Sequence, residues 1–196
     1  AKGEGLEERG NAYFTAALML VAAIIIVGWP LFYIFHEQVF TFFGADATNM
    51  PYVLAYGKWL VLFFPMFVLP TFLGAFLRND GAPGRATLGV VAGGLFNIFG
   101  DWYFCFPLDM GMEGAAIATV SGTTIQAAIM ATHFLRRRKC HLRLVWPKRL
   151  FADMRRIVVL GFGAGVLDLG NVLIAIIINN QIMRYGGVEA LSGYGV

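Results

Sequence analysis

Asn97 and Asp101 lie four residues apart in Ala86–Leu108, where no other strongly polar side chain follows Thr87. On a helix that spacing puts both on one face, one turn apart. A charge at bilayer depth costs at least ~2.5 kcal/mol on insertion scales, so it normally faces a cavity or a partner. The pair is therefore a candidate ion or proton site. The plain alternative is that Asp101 bonds the backbone or a hydroxyl of a neighbouring helix. Asp168 is a second acid in apolar surroundings, within Gly165-Val-Leu-Asp-Leu-Gly170, and Asn171 could share a cavity with it.

These side chains must be carried by membrane-spanning helices. The chain is 58% hydrophobic and 14% charged, with mean hydropathy +0.68, whereas soluble domains are roughly 25% charged. Five apolar stretches are long enough to cross a bilayer, which takes about 20 helical residues. They are Ala12–Phe35, Tyr52–Phe76, Ala86–Leu108, Glu113–Leu135 and Ile157–Met183. The expected class is an all-α polytopic membrane protein. The first stretch is too long for a signal peptide and no small-residue cleavage site follows it. The chain begins at Ala1 and stops just after a turn, so a piece of a longer protein is expected.

Placement of charge orients the spans. All Lys and Arg except Lys58 and Arg184 fall on one face if five helices alternate: Lys2, Arg9, Arg78, Arg85, and nine more between Arg136 and Arg156. The opposite connections carry Glu37, Asp46, Asp109 and Glu113 and no base. The positive-inside rule puts the N-terminus and the basic loop in the cytoplasm and the C-terminus outside. Lys58 and Arg184 are near outer helix ends, where they can snorkel. Topology alone accounts for the basic run, so no nucleic-acid partner is read from it; membrane lipids are the expected contact. Lys148–Arg156 has Leu150, Phe151 and Met154 among its charges and reads as a short interfacial helix.

Short turns join the first four spans, while about 21 residues from Arg136 to Arg156 precede the fifth. A long link of this kind often separates the halves of a two-bundle transporter. The expected division is residues 1–135 in one lobe, 136–156 as the inter-lobe loop, and 157–196 opening the second lobe. Gly89 with Gly93, and Ala118 with Gly122, permit close helix approach. Pro65 and Pro70 should bend the second span. Gly161, Gly163, Gly165 and Gly170 should make the fifth span pliable or closely packed.

Topology brings a third polar group to Asp101. The third span runs outward, and Asp101 is seven residues from Leu108, roughly 10 Å below the outer boundary at ~1.5 Å per residue. Thr119 lies six residues into the returning span, about 9 Å deep by the same rise. Asn97, Asp101 and Thr119 thus supply oxygens suited to a hard cation such as Na⁺, and the carboxylate could instead carry a proton. Other chemistry is not indicated. His36 is read as lying in an outer connection, with His133 and His141 flanking the basic loop, all exposed or interfacial and without metal spacing. Cys105 and Cys140 lie at opposite ends and form no pair. No phosphate-binding loop, nucleophile elbow or dinucleotide fingerprint occurs, so no enzyme and no cofactor is expected.

Phe76-Leu-Arg-Asn-Asp-Gly-Ala-Pro83, then Leu95-Phe-Asn-Ile-Phe-Gly-Asp101, then Gly111-Met-Glu-Gly-Ala-Ala-Ile-Ala-Thr119, and finally Arg184-Tyr-Gly-Gly187 resemble the multidrug and toxic compound extrusion (MATE) family in order and spacing. The resemblance covers nearly the whole chain and implies helices three to seven of a two-lobe, twelve-helix transporter. It implies that Asn97, Asp101 and Thr119 belong to a cation or proton site in the N-terminal lobe, whose helix-one Asp lies outside this chain. Asp168 matches an acidic position on helix seven that is often Glu in bacterial members, a reach longer by one methylene. Trp102 stands where many members have Pro. The implied activity is antiport across the plasma membrane (the bacterial inner membrane), with Na⁺ or H⁺ entering and small organic cations leaving, by a full-length monomer. A lipid-linked oligosaccharide flippase of the same superfamily is the near rival, and a channel or membrane scaffold the distant one.

Overall fold

Six helices occupy the five expected spans, because one span is broken. The computed structural model describes residues 7–43, 45, 47–135 and 140–194. Its elements are α1 (Glu7–Phe42), α2 (Met50–Leu62), α3 (Phe64–Asn79), α4 (Pro83–Cys105), α5 (Gly111–Leu135) and α6 (Leu150–Tyr194), with no strand among the described residues. Helices α1, α4, α5 and α6 are each long and apolar enough to cross a membrane, and α2 with α3 makes a bent fifth span. Lys2, Asp46 and Arg136 to Lys139, all used in sorting the charges, lie outside the described residues.

The break has a local cause and a tertiary remedy. Pro65 has no N–H, so the carbonyl of Val61, one turn earlier, loses its helical donor. The chain bends by 54° between α2 and α3, and Pro65 starts the new helix in its first turn, where a missing N–H costs nothing. The indole of Trp29, on α1, donates to Val61 O at 2.7 Å. Pro70 is carried inside α3 without a second break. Trp29→Phe keeps the packing but removes the donor, so it should destabilise the fold by about 1–2 kcal/mol. The check is thermal unfolding in detergent; an unchanged midpoint would show that Val61 O finds another donor.

Two expected boundaries are corrected. Phe35 is non-helical (φ −105°, ψ 15°), as the end of the first span predicted, but helix resumes beyond it to Phe42. His36 therefore sits on α1, its Nδ1–H donating to Tyr33 O at 2.7 Å, rather than in a connection. The short interfacial helix expected at Lys148–Arg156 is absent as a separate element. Leu150 begins the 45-residue α6 directly, so those charges form its opening turns. At ~1.5 Å per residue that helix is more than twice as long as a hydrocarbon core is thick.

Small residues set the closest packing. A Cβ on Gly93 would lie 2.6 Å from the carbonyl oxygen of Gly122, and one on Gly122 would lie 2.7 Å from that of Gly93. Helices α4 and α5 thus touch backbone to backbone, as their small-residue spacing predicted. Gly89 and Gly100 extend the seam against Met130 and Ala118. The α6 glycines behave differently: open space surrounds Gly161, Gly163, Gly165 and Gly170, so the close packing offered as one reading is not made among the described residues. Helix α6 packs on α1.

At the basic end, Leu77, Ala86 and Met130 form a core backed by Leu73 and Phe134. Phe14 adds ring contacts to Phe72, Phe76 and Phe134. The chain after residue 139 is docked on this core. Arg143 N–H donates to Asn11 Oδ1 at 3.0 Å, Val145 N–H to Thr15 Oγ1 at 3.1 Å, and Pro147 is fully buried. His133 corrects another expectation, being 3% exposed with Nε2 2.8 Å from a buried Asp80 carboxylate. Asp80, in the short turn between α3 and α4, is buried with it.

Candidate ion-coupling site

Asn97 and Asp101 share a face of α4 because four residues make about one turn. The Gly93–Gly122 contact then decides what that face meets. A Cβ on Gly122 would come within 3.2 Å of Asn97 Cβ, so Asn97 is pressed against α5. Its Nδ2 donates to Thr119 Oγ1 at 3.3 Å. The Thr119 hydroxyl gives its one proton to Ala115 O at 2.9 Å, one turn back. Its lone pairs then accept, and the Tyr56 hydroxyl of α2, 3.4 Å away, is the donor. With Nδ2 committed to Thr119, Asn97 keeps Oδ1 as its acceptor oxygen.

Asp101 lies one turn farther along α4. Its Oδ1 is buried and has no hydrogen-bond partner among the described residues. Asp101 as a whole is half-buried, so it is this one oxygen that lies out of reach of solvent. A buried carboxylate oxygen with neither donor nor countercharge is costly unless a cation or a proton satisfies it. On the neighbouring turn and helices, Asn97 Oδ1 and the Tyr56 phenol oxygen keep lone pairs and are hard oxygen ligands suited to Na⁺, while Thr119, its proton and both lone pairs engaged, holds the two in place.

Above the cluster, at the acidic end, Glu113 ties α5 to α2. Lys58 Nζ is 2.8 Å from Glu113 Oε1, and Trp59 Nε1–H donates to the same oxygen at 3.1 Å. Both charges are solvent-exposed and screened, so the pair adds little stability and serves chiefly to fix position. Lys58 is thus engaged by Glu113 as well as near the helix end.

The structure brings Asn97 and Thr119 into contact, places Asp101 one turn away, and does not bring Asp168 to them. Asp168 stands exposed on α6, on a face shared with Gly161, Gly165, Leu169 and Val172. Tyr56 was missed from the sequence. Its signal was present: it lies six residues into α2, about 9 Å along at the helical rise, the depth already assigned to Thr119.

Superposed on solved structures, the chain matches a crystal structure of MATE in the bent conformation with TM-score 0.79 over 96% of its length, at 20% identity. The chain has the MATE fold. It covers 43% of that solved chain. In sequence it is 25% identical over 181 residues to the multidrug export protein MepA of Staphylococcus saprophyticus, covering 90% of this chain. MepA of Staphylococcus aureus is 25% identical over 190 residues, covering 95%. The chain spans about 40% of the length of these curated relatives. No protein-family model matches it. The MATE resemblance read from the sequence is borne out, as is the all-helical multi-pass membrane class.

Proposed function

We propose that this chain is part of a multidrug antiporter in which Asp101, assisted by Asn97 and Thr119, carries the coupling Na⁺ or H⁺. The reading rests above all on the buried, unpartnered Oδ1 of Asp101. It is supported by relatives named as multidrug export proteins. The basic end faces the cytoplasm by charge placement, and the coupling ion enters the site from the acidic, outer side. Ion or proton binding removes the charge on Asp101 and so shifts the balance between outward- and inward-facing arrangements of the bundle. Asp168 serves the second lobe, where its exposed face of α6 meets helices outside this chain. The cargo is a small organic, amphiphilic cation, and the full-length protein acts as a monomer.

Efflux from proteoliposomes holding the full-length protein tests the reading. Export of a fluorescent organic cation should require an opposing Na⁺ or H⁺ gradient and stop when that gradient is collapsed. Flux that persists without the gradient, running down the cargo's own concentration difference, would mark a channel and overturn antiport.

A further inference from the structure

At the basic end, away from the Asp101 cluster, Asp80 meets His133, Cys140 and His141, which come 53 or more residues later in the chain. Asp80 ends the α3 segment, His133 lies in the last turn of α5, and the other two begin the docked connection to α6. One ligand atom each from Asp80, His133 and Cys140 lie within 4.8 Å of one another. His141 adds a fourth, its Nδ1 3.5 Å from Asp80 Oδ1. The Asp80 side chain is fully buried, that of His133 nearly so, and Cys140 is partly buried. Phe134 holds the His133 ring edge-on, with centroids 5.6 Å apart.

We propose that these four residues form a binding site for a divalent transition metal, with Zn²⁺ the best match. A buried Asp–His pair needs neither a thiol nor a second imidazole to be satisfied, yet both stand beside it. One thiolate, two imidazoles and one carboxylate are the borderline-soft donor set that Zn²⁺ takes in four-coordinate structural sites. Ligand atoms at ~2.0–2.3 Å from a tetrahedral metal are about 3.3–3.8 Å apart. The ligand atoms of Asp80, His133 and Cys140, within 4.8 Å of one another, therefore close by side-chain rotation without moving a helix, and the largely exposed His141 side chain turns in beside Asp80 to supply the fourth. On binding, the Cys140 thiol proton leaves to solvent and His133 turns the Nε2 lone pair to the metal, its proton passing to Nδ1 or to solvent. Thiolate and carboxylate then balance the dication, which suits a buried position. The metal would staple the connection preceding α6 to the α3–α4 turn and the end of α5. Nothing in this inference depends on the transport reading.

The test uses the full-length protein in detergent with Co²⁺ as the probe. A thiolate-to-cobalt charge-transfer band and tetrahedral d–d bands should appear, disappear on adding Zn²⁺, and be absent in Cys140→Ser while surviving Cys105→Ser. His133→Gln should weaken Zn²⁺ binding at least ~10-fold, since even outer-shell changes cost about 10–100-fold. In the unsubstituted protein, saturating Zn²⁺ should shield Cys140 from maleimide, read by mass spectrometry of its peptide, so the result does not rely on any variant folding. Absence of the thiolate band, its survival in Cys140→Ser, or alkylation of Cys140 indifferent to Zn²⁺ would each overturn the site and leave the Asp80–His133 pair as a structural latch.

Discussion

Asp101→Asn in the full-length protein should abolish drug export while leaving the amount of protein in the membrane unchanged. The substitution preserves shape and removes both the charge and the exchangeable proton. The coupling ion then has no differential affinity for the two states of the bundle, and without that difference it cannot bias them. The same change should raise stability slightly, because an amide is cheaper to bury than a half-buried carboxylate with an unpartnered oxygen. The two readouts together separate a functional acid from a structural one. Export lost with the unfolding midpoint raised is the expected result. Export lost with the midpoint lowered would indicate a hydrogen bond that holds the fold, and undiminished export would end the assignment of Asp101 to ion coupling.

Gly122→Ala is the second large effect. The added methyl would stand 2.7 Å from Gly93 O and 3.2 Å from Asn97 Cβ, and a backbone carbonyl cannot turn aside as a flexible side chain can. Helices α4 and α5 must part, at about 1–3 kcal/mol for overpacking. Parting them also lengthens the 3.3 Å Asn97–Thr119 bond, so the ion site should suffer beyond the loss of stability. Gly94→Ala is the matched control. It lies on α4, one residue past the Gly93 that Gly122 meets, with nothing within 4 Å of its would-be Cβ, and replacing a mid-helix Gly by Ala should gain roughly 0.5–1 kcal/mol. Thermal unfolding of the two variants should move in opposite directions. Equal midpoints would refute the close-contact account of the seam.

Local pattern made much of this protein legible before any coordinates. Apolar length set the number of spans, since a bilayer demands about 20 helical residues whatever their neighbours. The i, i+4 spacing of Asn97 and Asp101 put them on one face, and the hairpin between α4 and α5 let simple depth counting bring in Thr119. The same counting would have found Tyr56, had a phenol been weighed as a polar group inside an apolar span. His133 shows where such reasoning stops. One imidazole near a basic loop looks wetted, and its burial depends on Asp80, 53 residues earlier in the chain. Charge sorting had placed the α3–α4 turn and the basic loop at one end, but a shared face is not a contact.

By itself, then, the sequence determined what each short segment prefers: helices of spanning length, a bend near Pro65, a seam of small residues, and an acid one turn from an amide. Those preferences depend on groups a few residues apart, which the chain holds together whatever else it does. Only the tertiary structure decided which partners the exposed or orphaned groups receive. Trp29 completes Val61 O, Asp80 receives His133, Thr119 accepts from both α2 and α4, and Oδ1 of Asp101 finds no donor among the described residues. The physical reason is that a hydrogen bond between helices is set by angstroms of packing, here by two glycines in backbone contact, and no local pattern encodes that distance.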